Sequence, residues 1–203
     1  MVLGVGGLEG KVPKSLRDHK AEKSSSVHTF VNVSNDAYGA VSFPRFEYDQ
    51  GYYGVSIIAS KTKGAPFKPM TTPQLELIAA ILVLNLTLSI TETLNVPTAD
   101  AHFWSDNMNV LYWIRGRGGQ FRPFVANRIG EIQRQSSPEQ WQYIESKENT
   151  ANVCSRGLRA RSLMESQLWW NVPQCLVECS AVSEYLLLSS DLLPIAVQAE
   201  NIG

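Results

Sequence analysis

The spacing of apolar and polar positions divides this chain into stretches of different period. Between Val27 and Lys61 apolar residues alternate with polar or small ones in three runs, Val27 to Ser34, Tyr38 to Tyr48 and Tyr52 to Lys61. The turn residues Asn35-Asp36 and Asp49-Gln50-Gly51 separate them, so the pattern predicts three consecutive strands in an antiparallel meander. From Thr72 the period lengthens. Leu75, Ile78, Ala79, Leu82 and Leu86 share a helical face, with Thr72 as the predicted N-cap, Pro73 as the first helical residue and the end near Leu94. Its most apolar run, Leu77 to Ile90, is interrupted by Asn85, Thr87 and Ser89 and is shorter than the roughly 20 residues that span a bilayer, which predicts a buried helix. A strand then ends at Asp106, followed by a short helix from Met108 to Arg115, the loop Gly116-Arg117-Gly118-Gly119 and a helix from Pro123 to about Ser136 with Val125, Ile129 and Ile132 on one face. A fifth strand, Gln140 to Ser146, precedes a helical segment starting near Asn149. Three strands, a helix, a strand, helices, a strand and a helix make an α/β domain with a mixed sheet.

A length of 203 residues with 44% hydrophobic content fits one core with flanks. Residues 1–26, with Lys11, Lys14, Arg17, Lys20 and Lys23 and little apolar periodicity, are expected to form a mobile lead-in. Residues 27–176 form the domain, and 177–203 a divergent tail. A net charge of −1 argues against a strongly basic binder, so any contact with nucleic acid has to come from a local stripe. Arg115, Arg117, Arg122 and Arg128, interleaved with Phe121 and Phe124 around the glycine loop, are such a stripe; an ordinary solvated loop reads the same way. Cys154, Cys175 and Cys179 make no disulfide framework, and a zinc site at Cys175 and Cys179 would need two more ligands, while His19, His28 and His102 lie far away in sequence, so no zinc is expected. Met1 to Gly10 lacks the basic start and long apolar stretch of a secretion signal, so an intracellular protein, cytoplasmic or nuclear, is expected.

The chemistry concentrates at two carboxylates. Asp106 ends a strand, where α/β folds place their reactive groups, although an Asp before a helix also serves as an ordinary N-cap. Glu76 falls near the start of the long helix, where an acid also suits the helix dipole at about 0.3–1 kcal/mol.

Several stretches together resemble the ribonuclease H domain of retrotransposon polyproteins, in particular the BEL/Pao group. They are His28-Thr29-Phe30 with Ala37-Tyr38-Gly39-Ala40, Pro73-Gln74-Leu75-Glu76-Leu77, Phe103-Trp104-Ser105-Asp106 and Phe124-Val125-Ala126-Asn127-Arg128. Gln140-Trp141, Asn149-Thr150-Ala151-Asn152 with Ser155-Arg156-Gly157, and Leu168-Trp169-Trp170 with Pro173 follow in the family's order. The resemblance implies a ribonuclease H-like α/β fold, a five-stranded mixed sheet of three antiparallel strands and then two parallel ones, flanked by helices. It also implies four carboxylates holding two Mg²⁺ ions that cut the RNA strand of an RNA/DNA hybrid, and an ancestral setting among other retroelement polyprotein domains. Two close, hard cations require several anionic oxygens.

Glu76 and Asp106 match two of the four carboxylate positions. The other two carry amides: Asn32 in Phe30-Val31-Asn32-Val33-Ser34, where the family has Phe-x-Asp-Ala-Ser, and Asn152, where it has Asn-Pro-Ala-Asp. A site built on Asn32, Glu76, Asp106 and Asn152 would carry two negative charges instead of four. The sequence therefore predicts weak or single-metal binding through Glu76 and Asp106, impaired cleavage and retained hybrid binding. An active Mg²⁺-dependent nuclease in which Glu148 supplies a missing carboxylate is the alternative, and a protein-interaction scaffold using the tail is another.

Overall fold

The computed structural model describes residues 22–48, 53–67, 70–116 and 121–177. The lead-in up to residue 21, Arg117, Cys179 and the tail beyond Val177 lie outside the described residues.

Strands β1 (Glu22–Val33), β2 (Ala37–Tyr48), β3 (Tyr53–Val55), β4 (Ala59–Gly64), β5 (Ala101–Ser105) and β6 (Trp141–Tyr143) form one mixed sheet. β2 lies antiparallel to β1, while β5 is parallel to β1 and β6 parallel to β5. β3 and β4 both pair with β2, so the sheet has five positions, and its outer one is broken where a single strand from Tyr52 to Lys61 was predicted. Pro44 explains the break. The Ile58 amide donates to the Ser42 carbonyl, so the backbone groups of Ser42 face the outer strand, and those of Pro44, two residues on, face it too. Proline offers no N–H there, and the register slips by one residue between Arg45↔Val55 and Ser42↔Ala59.

The first strand begins at Glu22, so residues 22–26, predicted as part of a mobile lead-in, belong to the sheet and pair with the far end of β2. The last strand is shorter than predicted at both ends: Ser146 begins a short helical turn after Tyr143, and Gln140 turns away before Trp141. Gln140 closes a capping box with Ser137, and its amide donates to the carbonyls of Thr98 and Ala101 at 2.7 and 2.8 Å.

Helix α1 (Thr72–Leu94) starts one residue earlier than predicted. Thr71 is the N-cap, and a capping box ties it to Gln74, with Pro73 at the second helical position. The helix packs on β1 and β2 and also meets α2 (Met108–Arg115) and α3 (Pro123–Gln135), which explains why its buried residues, among them Leu77, Ala80, Val83 and Leu84, wrap well beyond one stripe. By length and composition α1 could also cross a membrane, but half of its most apolar window is buried within this fold. A buried hydroxyl chain, Thr87 to Thr29 at 2.7 Å and Thr29 to Ser42 at 2.9 Å, fastens α1 to β1 and β2. The opposite sheet face is covered by α4 (Ala151–Arg156) and by Cys175 and Leu176, which pack with Phe30, Phe43 and Trp104. Helices α5 (Ala160–Met164) and α6 (Gln167–Trp170) complete the described chain.

Candidate metal and nucleic-acid site

The register of β1 on β5 sets up the site. His28 lies opposite His102 and Phe30 opposite Trp104, and in both pairs the rings stack. Continuing that register by one rung brings Asn32 opposite Asp106, just past the end of β5. The aromatic rungs thus hold the strands in the alignment that joins the two site positions.

Asp106 does not cap α2. Asn107 does, its side-chain oxygen accepting from the amides of Asn109 and Val110 at 3.0 and 3.2 Å, while its own amide donates to Ser105 Oγ at 3.1 Å. Asp106 is thereby left at the strand end without a capping role. Its charge reaches two neighbours whose pKa burial already raises: Glu76, where it is the next cause after burial, and the Tyr143 hydroxyl, where it adds to burial and to Glu145.

Because α1 begins early, Glu76 lies in the second helical turn instead of the first, and the dipole reading loses its basis. The side chain is buried at 5% exposure. Burial, followed by the negative charge of Asp106, pushes its pKa up to about 8 against an opposing hydrogen bond from Asn107. Glu76 therefore holds its proton at neutral pH. Its Oε2 is buried with no hydrogen-bond partner.

Asn32 is buried and donates from Nδ2 to Ser155 Oγ at 2.6 Å. Ser155 in turn donates to the Asn152 carbonyl, and Ser34 Oγ donates to the Ser155 carbonyl at 2.7 Å. Asn149 adds a bond from its amide to the Val31 carbonyl at 2.8 Å, so α4 is stapled along the end of β1. Asn152 donates from Nδ2 to the Ser146 carbonyl, and its Oδ1 is buried without a partner. α4 can come this close because position 39 on β2 is glycine: a Cβ there would stand 2.5 Å from that of Cys154.

Charge convergence thus joins Glu76 and Asp106, and a hydrogen-bond chain joins Asn32 to α4 and Asn152. Burial, and after it the charge of Glu148, pushes the pKa of the Cys175 thiol up to about 12. Among the described residues no group of three or more His, Cys, Asp or Glu side chains is arranged to hold a metal ion. Asn107, Tyr143 and Ser155 are members of the site that sequence reasoning did not single out. For Asn107 the signal was present, since Asn is a favoured N-cap directly before an apolar helix.

The arginines divide. Arg115 donates to the Trp141 carbonyl at 3.2 Å, and Arg128 lies 3.5 Å above the Phe124 ring while donating to the Phe124 carbonyl. Both are engaged within the fold. Arg122 is exposed at the start of α3.

The family described as the Pao retrotransposon-like RNaseH-like domain matches residues 7–107. No curated protein matches the chain. Among solved structures, the ribonuclease H1 of the halophilic archaeon Halobacterium salinarum NRC-1 is 12% identical, with 70% of this chain and 99% of that one covered and a TM-score of 0.39. The N-terminal RNase H domain of rv2228c from Mycobacterium tuberculosis, a fusion with maltose binding protein, is 11% identical, with 70% and 97% covered and a TM-score of 0.41. The match holds Asn32, Glu76 and Asp106 and stops before Asn152, and residues 7–107 belong to the Pao retrotransposon ribonuclease H-like family.

Proposed function

We propose that this chain binds RNA/DNA hybrid through a ribonuclease H-like cleft whose two-metal site is degenerate, so that it holds nucleic acid without cutting it efficiently. The observation that carries this reading is the bond from Asn32 Nδ2 to Ser155 Oγ at the position of the first-strand carboxylate. An ionised aspartate has no proton to donate there. The amide is thus part of the packing of α4 on β1.

The residues present fit one cation better than two. Asp106, and Glu76 once its proton is displaced, would supply the anionic oxygens, and the buried Glu76 Oε2 has no hydrogen-bond partner that a cation would have to replace. Asn32 and Asn152 offer neutral oxygens only, which cannot offset the mutual repulsion of two divalent ions a few ångströms apart. Metal held at Glu76 and Asp106 would supply activation of the attacking water and stabilisation of the leaving oxygen, chemistry that in full takes two ions. The chain's own contribution is to align the rungs of β1 and β5, to keep Asp106 out of the α2 cap, and to hold a proton on Glu76 until a cation displaces it.

Binding and scission, measured on one sample, test the reading. A labelled RNA/DNA hybrid titrated with the protein in Mg²⁺ should bind while its RNA strand stays intact over hours. Rapid, Mg²⁺-dependent cutting that vanishes in Asp106→Asn would contradict it, as would failure to bind the hybrid at all.

A further inference from the structure

We infer that the exposed strap from Arg156 to Arg161 is a phosphate-contacting lip of this cleft. The inference rests on the cleft being a nucleic-acid site, as proposed above. α4 ends at Arg156, and Gly157 follows as its C-cap at φ +68°, a conformation that suits glycine, with open space around it. Residues 156–162 are all exposed and carry Arg156, Arg159 and Arg161. The single acid between Arg156 and Trp170 is Glu165, and among the described residues no ion pair engages any of the three arginines. Three like charges this close repel one another unless an external anion lies across them.

The root of the strap is fixed to the site. Ser155, one residue before Arg156, receives the Asn32 amide at 2.6 Å and holds Ser34 through its carbonyl, and Thr62 Oγ1 donates to the Cys154 carbonyl at 3.3 Å. The charges therefore project from a rigid base beside the strand end that carries Asn32. Apolar groups flank them: Leu158 and Met164 are exposed, and the Trp170 ring is part-exposed while its Nε1 donates to the Leu163 carbonyl at 2.7 Å. Arginines next to exposed aromatic and aliphatic surface suit a sugar-phosphate backbone with its bases. Arg115 and Arg128 of the glycine-loop stripe have partners inside the fold, whereas the strap arginines have none of that kind among the described residues.

The test is the salt dependence of binding to a short labelled RNA/DNA hybrid in EDTA, where no cleavage interferes. R156Q/R159Q/R161Q is compared with K61Q/K63Q/R134Q, which removes as many exposed positive charges elsewhere; both take the net charge from −1 to −4. The strap variant should lower the slope of log affinity against log salt by roughly 2–3, while the control keeps the wild-type slope. R156K/R159K/R161K should keep most of it and shows that loss of charge, not of fold, is being read. Unchanged slopes in R156Q/R159Q/R161Q, with the wild type binding, overturn the lip and leave the cleft reading intact; an equal loss in the control does the same. No hybrid binding by the wild type overturns the cleft reading and the lip with it.

Discussion

The two ends of the β1–β5 pair show what burial does to opposite kinds of ionisable group. At the amino end His28 and His102 stack 4.7 Å apart, and His28 accepts from the Trp104 indole at 3.3 Å while its other nitrogen meets Ser26 Oγ at 2.9 Å. Burial lowers both imidazole pKa values, that of His28 further through the neighbouring His102 and Arg45. At the carboxyl end the same physical effect raises Glu76 to about 8, with Asp106 adding to it. Each end escapes a buried charge, one by losing a proton and the other by keeping one. A cation can reverse only the second. Two parallel strands thus carry a packed imidazole core at one end and a protonated buried carboxyl beside Asp106 at the other.

Trp104 touches both ends, stacking on Phe30 and bonding His28, and it is fully buried. Trp104→Ala should cost about 3–5 kcal/mol of stability in urea unfolding at pH 7. A loss under about 1 kcal/mol would show that the rungs do not hold the strands in register.

Glu76 and the histidines give opposite pH slopes. An acid whose folded pKa lies above its unfolded value stabilises the fold fully at low pH, and that contribution is lost as pH rises from about 4.5 to about 8. The loss is on the order of 5 kcal/mol, and Glu76→Gln should remove it from the urea midpoint measured against pH. A histidine whose folded pKa is lowered contributes stability that is lost as pH falls below its unfolded value near 6.5. His102→Gln should flatten that acidic arm and leave the alkaline one. If Glu76→Gln leaves the alkaline arm in place, Glu76 is not the group that keeps its proton.

Smaller effects refine the carboxyl end. Ser155→Ala leaves the Asn32 amide without its acceptor and should cost about 1–2 kcal/mol in the same unfolding experiment. Mn²⁺ should raise the melting temperature more at pH 8.5 than at pH 6.5, because binding must displace the Glu76 proton, and Glu76→Gln should abolish the shift. Equal shifts at both pH values would place the ion elsewhere.

The elements were largely legible because period and turn residues are local signals. Met108 to Arg115 folds as the helix the pattern predicts, and Pro123 begins the next one. What escaped depends on neighbours. The break between β3 and β4 follows from which side of β2 faces outward at Pro44, which one strand's alternation cannot reveal. Asp106 and Asn107 compete for one cap, and only the folded chain shows that Asn107 takes it. Glu76 and Asp106 could be paired through the family resemblance, but the protonation of Glu76 depends on its burial. Arg115 looked like a free cation because the Trp141 carbonyl that engages it lies on a distant strand, whereas Arg128 bonds and stacks on Phe124 one turn back in its own helix, a spacing of four that the sequence does carry.

The most direct test of the account is hybrid cleavage by the double variant Asn32→Asp, Asn152→Asp beside the unaltered protein, in Mg²⁺ and in Mn²⁺. The account predicts scission of the RNA strand by the variant and little or none by the unaltered chain, because restoring two carboxylates supplies the charge a second cation needs. Efficient cutting by the unaltered protein, or no cutting by a double variant that still folds and binds the hybrid, would contradict it.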